Sequence, residues 1–180
     1  MNSSSVSVAK IAELLDLKNF TDEIDLKKRK ITTTDINRPA LQLTGYFEHF
    51  EESRVEIIGN VEYAYIQQMS DEEKQIRYDA FLKFDIPCVI FSRNLTPDPI
   101  FLKEALANHV PVLGTGRSTS EFTAELIYTL GEQLAPCTRI RSHPLHRQKT
   151  ADGSQSDPSD LNMFSVGTSK SVLHKEETEA

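Results

Sequence analysis

Apolar residues are spaced to make a series of short elements. Val8, Ile11, Ala12 and Leu15 recur at the i, i+3, i+4, i+7 interval of a helix, and Ser7 stands where a side chain would cap its free amides. A polar, charge-rich link follows. Ile31-Thr32-Thr33-Thr34 is then predicted as a strand, because β-branched side chains suit the pleated surface. Asn37-Arg38-Pro39 opens a new segment, with Pro39 at the first position of a short helix over Ala40–Thr44 that ends near Gly45.

From residue 55 the pattern becomes regular. Val55-Glu56-Ile57-Ile58, stopped by Gly59, predicts a strand, and Val61–Met69 a helix. Ser70 and Glu73 have capping-box spacing and open a helix whose inner side would carry Ile76, Ala80, Phe81 and Phe84. Pro87-Cys88-Val89-Ile90-Phe91 is a continuous apolar run, as in a strand covered on both faces. Asp98-Pro99 reads as the cap and first position of a helix through Asn108. Val110-Pro111-Val112-Leu113 is another strand, with Pro111 suited to an edge or terminal position. Ser118 and Glu121 suggest a second capping box, before a helix striped by Phe122, Leu126, Ile127, Leu130 and Leu134. Alternation of strand and helix over 55–134 predicts an α/β fold with a mostly parallel sheet and flanking helices.

After Ile140 the pattern stops. The first 140 residues hold 60 apolar side chains and the last 40 hold 9, so 1–140 is expected to form the domain and 141–180 a disordered tail. Net charge is −7, with 15 Lys/Arg against 21 Asp/Glu before residue 141, which argues against a nucleic-acid partner. The basic run Lys27-Lys28-Arg29-Lys30 reads as a solvated turn. Cys88 and Cys137 have no metal-ligand spacing, and Cys88 reads as a buried thiol. Met1-Asn2-Ser3-Ser4-Ser5 lacks the basic and apolar parts of a leader, and no apolar run is long enough to span a membrane. A soluble, cytoplasmic setting is the expectation.

Three candidate sites emerge. Gly114-Thr115-Gly116-Arg117 lies between a strand and a capped helix, where exposed amides and a guanidinium could hold a phosphate or carboxylate; the alternative is a tight turn that needs glycine. Ser92-Arg93 ends a strand, where α/β proteins place ligands, although polar residues commonly end strands. His49 has carboxylates nearby but no second ligand at useful spacing, and reads as a loop residue. No metal site or catalytic residue is assigned, nor any role for His143, His146 and His174.

Seven phrases in order resemble the N-terminal domain of the bacterial HPr kinase/phosphorylases: Asp35-Ile36-Asn37-Arg38-Pro39, Thr44-Gly45-Tyr46-Phe47, Arg54–Gly59, Met69–Lys74, Phe91-Ser92-Arg93, Val110–Leu113 and Leu134–Ile140. The resemblance implies a cytoplasmic regulator of carbon use whose relatives phosphorylate and dephosphorylate a serine of the phosphocarrier HPr. It implies hexamers of two-domain subunits, using ATP or pyrophosphate with magnesium in the second domain. The fold implied for the first domain is like that of the Mur ligases, which hold a uridine nucleotide there. The family continues with His-Gly and a G-x-x-x-x-G-K-[ST] loop; here Arg141-Ser142 follow Ile140, and no such loop occurs anywhere in the 180 residues. The expectation is a regulatory and assembly domain without its kinase domain, holding no cofactor, and inactive alone. HPr would be reached through the missing domain. The alternative is a free-standing module binding a nucleotide or anion. The abruptness of the change predicts a reading-frame or fusion origin for the tail, against a genuine extension.

Overall fold

The computed structural model describes residues 4–135; the expected tail and Cys137 lie outside them. In chain order the elements are β1 (Val6–Ser7), α1 (Val8–Leu14), β2 (Lys18–Asn19), β3 (Lys30–Ile31), β4 (Ile36–Asn37) and α2 (Ala40–Leu43). They continue with β5 (Val55–Ile58), α3 (Asn60–Ile66), α4 (Asp71–Leu82), β6 (Val89–Phe91), α5 (Pro99–Ala107), β7 (Val112–Gly114) and α6 (Thr119–Leu134).

Five strands form one sheet in the order β2-β7-β6-β5-β4, and β1 pairs with β3 in a separate antiparallel ribbon. β4 to β7 are parallel and laid down in sequence order, so each connection carries the chain one strand further across the sheet. Connections of constant hand that always advance in one direction put α3, α4 and α5 on one face. β2 closes the far edge antiparallel to β7, with Lys18 opposite Gly114.

Side chains alternate between the two faces of a strand, and two cores result. Val55, Ile57, Ile90 and Leu113 point toward Ile11 of α1 and Phe122, Leu126 and Leu130 of α6. Ile58, Val89, Phe91 and Val112 point toward Leu43, Ile66, Tyr78, Phe81 and Phe101 on α2 to α5. Both faces are covered, which is why β6 and β7 read as apolar runs and β5 does so but for Glu56.

Helix starts follow local chemistry. Ser7 Oγ accepts from the Lys10 amide at 3.2 Å, and the Asp98 carboxylate from Phe101 at 2.9 Å, with Pro99 following at a position that needs no amide. Ser70 and Glu73 form a full box: Ser70 Oγ accepts from the Glu73 amide at 3.2 Å while the Glu73 carboxylate accepts from the Ser70 amide at 2.9 Å. Removing the hydroxyl with Ser70→Ala is expected to lower stability by about 1 kcal/mol, read as a shift of the urea midpoint at unchanged slope. At Ser118 only half of the box forms: its hydroxyl accepts from the Glu121 amide, and the Glu121 side chain meets that same hydroxyl rather than the backbone.

Several expectations are corrected. Of Ile31–Thr34 only Ile31 lies in a strand; Thr33 Oγ1 instead accepts from the Asp35 amide at 3.1 Å, a local bond that turns the chain. The next strand, β4, falls on Ile36–Asn37 and so takes Asn37 from the segment read as a helix start, and Pro39 stands at the cap position just before α2, not at its first helical position, with no side-chain capping bond. Ile76 is exposed, because α4 is rotated to send Tyr78, Phe81 and Leu82 inward. Ile127 is likewise largely outside the α6 stripe. Pro111 takes the terminal one of its two expected positions, just before β7, which is interior to the sheet, the edge being taken by β2. In the basic run, Arg29 is not solvated: it pairs with Asp85 at 2.8 Å and donates to the Ile86 carbonyl.

Candidate functional site

The parallel strands all end on one edge of the sheet, where Arg38 follows β4, Gly59 follows β5, Ser92-Arg93-Asn94 follow β6 and Thr115-Gly116-Arg117 follow β7. Such an edge is the usual ligand face of an open α/β sheet.

Gly114 ends β7 and is buried; a Cβ there would run into the Phe20 ring, so packing alone demands glycine. Thr115 is buried and held by three hydrogen bonds. Its amide donates to Phe91 at 2.8 Å, its carbonyl accepts from Asn94 at 2.9 Å, and its hydroxyl accepts from the Arg117 amide at 3.3 Å. Gly116 is exposed and lies against the Asn94 side chain. Arg117 is turned away from the helix start: Nη1 donates to the Leu15 carbonyl at 2.7 Å and Nε pairs with Glu125 at 3.1 Å. The guanidinium thereby ties the end of α1 to α6.

Ser92 joins the same cluster from below. It is buried, its hydroxyl donates to the Ile58 carbonyl at 3.2 Å, and it shares a hydrogen bond with Thr119 Oγ1 at 2.8 Å. Arg93 and Asn94 both take left-handed backbone angles, φ 59° and 57°, held by amide bonds to Arg117 and Thr115.

The pairing of Arg38 with Glu62 escapes sequence reading. Glu62 is buried, accepts from Arg38 Nη2 at 2.6 Å, and accepts from the Gly59 amide at 3.0 Å with the same oxygen. The available signal was Gly59 followed three residues later by Glu62, a capping spacing without a hydroxyl. His49 is exposed on its loop, 3.8 Å from a Glu48 oxygen, and among the described residues no group of three metal-ligating side chains comes together.

Glu56 is the other unanticipated group. It is fully buried in β5, Asn37 Nδ2 donates to one of its oxygens at 3.3 Å, and the second oxygen has no partner among the described residues. Burial pushes its carboxyl up to about 8, against the opposing pull of the Asn37 bond and the Arg54 charge. Burial also pushes the Cys88 thiol up to about 12, so it is an inert core residue rather than a nucleophile.

The family model described as HPr serine kinase N terminus matches residues 6–130. The chain belongs to that family. An HPr kinase/phosphorylase from Lachnoclostridium phytofermentans is 42% identical over 139 residues, covering 77% of this chain and 44% of the relative. One from Caldicellulosiruptor bescii is 39% identical over 137 residues, covering 76% and 43%. The chain therefore spans less than half the length of these relatives. Among solved structures, the CBS and DRTGG domains of the regulatory region of Clostridium perfringens pyrophosphatase, complexed with diadenosine tetraphosphate, align with a TM-score of 0.45 and 17% identity, over 67% of this chain and 45% of that one. As a member of the HPr serine kinase N-terminus family, the chain has its matched region bounded by β1 and α6, the whole of the sheet and both cores. No helix among the described residues is long and apolar enough to cross a membrane.

Proposed function

We propose that this chain supplies the N-terminal regulatory and assembly domain of an HPr serine kinase/phosphorylase acting in carbon catabolite regulation, and that the phosphoryl chemistry lies outside it. The observation that carries this reading is the family match over 6–130 in a chain whose 180 residues contain no G-x-x-x-x-G-K-[ST] loop. ATP and magnesium would bind the catalytic domain, and HPr would be reached through it. The domain itself would hold no cofactor, associate with copies of itself, and work in the cytoplasm. A net charge of −7 supports a role without nucleic acid.

A second reading is a module holding a nucleotide or anion at Gly114, Thr115, Gly116 and Arg117, as a likeness to the first domain of the Mur ligases would have it. The exposed Gly116 beside the start of α6 favours it. The engagement of Arg117 with Leu15 and Glu125 stands against it.

The test is a graft. Mixed with HPr, ATP and magnesium, the chain alone is expected to yield no phosphoserine. Replacing the matching 139-residue portion of the Lachnoclostridium phytofermentans relative with this domain is expected to give a folded enzyme that phosphorylates HPr. Phosphoserine from the chain alone, or a folded graft that fails where its parent works, overturns the reading.

A further inference from the structure

At the edge where the parallel strands begin, opposite the strand-end cluster, the surface has a hollow of about 210 Å³. It is lined by Lys28, Arg29 and Lys30 of the basic run and by Asp85 and Pro87 of the segment leading into β6. Three cations thus share the hollow with one carboxylate, in a chain whose net charge is −7. That carboxylate is already committed. Asp85 pairs with Arg29 at 2.8 Å, and the same guanidinium donates to the Ile86 carbonyl. The ammoniums of Lys28 and Lys30 have no ion pair among the described residues.

The run is held in place by its backbone. The Asp25 carboxylate accepts from the Lys27 amide at 3.0 Å and the Asp25 carbonyl from the Lys28 amide at 3.1 Å, closing a turn. The Leu26 and Arg29 carbonyls accept from Ala9 and Val8 at 3.1 and 3.0 Å, and Lys30 pairs with Ser7 across the β1–β3 ribbon. A ligand would not have to order this backbone on binding. A lone exposed lysine is normally just solvated. Two unpaired ammoniums and an anchored guanidinium around one concavity are different, because a cleft lined by one sign of charge concentrates counter-ions.

Size and charge select the ligand. The hollow is smaller than the roughly 300–1,000 Å³ of pockets that enclose drug-sized molecules, so it suits a small ion or one terminal group. Lysine point charges beside an arginine fork favour a doubly charged oxyanion over a single carboxylate. We propose that this hollow is an anion site for a phosphate group, gripped by Lys28 and Lys30 and backed by Arg29. It stands apart from Gly114–Arg117 and depends on neither reading of the function given above.

The test is a titration of the full chain with inorganic phosphate at constant ionic strength, followed by the backbone amide resonances of residues 27–31 and 85. Saturable binding on the order of millimolar is expected. Lys28→Gln and Lys30→Gln should each weaken it by at least about threefold, and Asp85→Asn should tighten it by a similar factor because the opposing charge is gone. Glu72→Gln, an equal change of net charge at the start of α4, should leave it unaltered. All four side chains are exposed, so circular dichroism of the free proteins is expected to be unchanged. Glycerol phosphate titrated in parallel separates the sources: equal affinity means the free ion, and tighter binding of the ester means a phosphate carried on a larger molecule. Shifts that chloride alone reproduces, acetate binding as tightly as phosphate, or an affinity indifferent to both lysine variants would each overturn the site.

Discussion

Replacing Glu56 with Gln is expected to make the domain more stable at pH 8 by on the order of 3 kcal/mol, and to change it little at pH 5. The carboxyl sits in β5 between β4 and β6, fully buried, with one oxygen held by Asn37 and the other without a partner. Its folded value lies near 8, above the 4.5 usual for a glutamate. Between those two values the folded chain keeps the proton and the unfolded chain releases it. Stability therefore falls as pH rises through that window and levels off above it. Gln carries no titrating proton, keeps an oxygen for Asn37, and removes that part of the slope. Urea unfolding at pH 5, 6.5 and 8 for both proteins checks this: converging curves at pH 5 and diverging ones at pH 8 are expected. Parallel curves would mean that Glu56 is ionised at no cost in the native chain.

Phe101→Ala is expected to cost about 3–5 kcal/mol, a large part of the stability of a domain this size. Phe101 is 1% exposed and stands edge-on to two other buried rings, Tyr78 at 4.9 Å and Phe91 at 5.3 Å between centroids. It links α5 to α4 and to the sheet at once, so its removal leaves a void that three elements border. Those elements cannot close on it freely, since the Tyr78 hydroxyl is tied to Asp98 at 2.8 Å and Asp98 also caps α5. The melting midpoint should drop by roughly 10–20 °C. Phe101→Leu, which keeps most of the volume, should lose no more than about 1.5 kcal/mol. A small loss for alanine would show that the α4–α5 layer repacks.

What was legible in the sequence was mostly what is decided locally. Ser7, Ser70 and Asp98 cap the helices they were read to cap, because a cap is an exchange between residues three apart. The interior strands showed themselves as apolar runs because both faces of the sheet are covered. The two-residue strands β1, β2 and β4 did not show, since two residues carry no periodicity and their partners lie far along the chain. Ile76 misled because helical spacing fixes which residues share a side but not which side faces inward. At the strand ends, Gly114–Arg117 and Ser92-Arg93 were visible as polar punctuation. The direction of the Arg117 guanidinium was not, because it depends on the Leu15 carbonyl 102 residues earlier in the chain. The Glu62–Arg38 pair and the lone Glu56 carboxyl are likewise products of strand register.

The far edge of the sheet also sets an order of events during synthesis. Four strands are added side by side as they emerge, yet β2, made before all four, has its place only beside β7, the last of them. Phe20 donates to the Val112 carbonyl at 2.9 Å, Val112 donates to Thr21 Oγ1 at 3.0 Å, and α1 finds its core partners on α6. A nascent chain that has not yet made β7 therefore leaves Lys18–Thr21 without a strand to pair with, and until α6 follows, α1 lacks the helix that completes its core, its apolar side open to chaperones. The first strand of this sheet to be made is the last to find its neighbour.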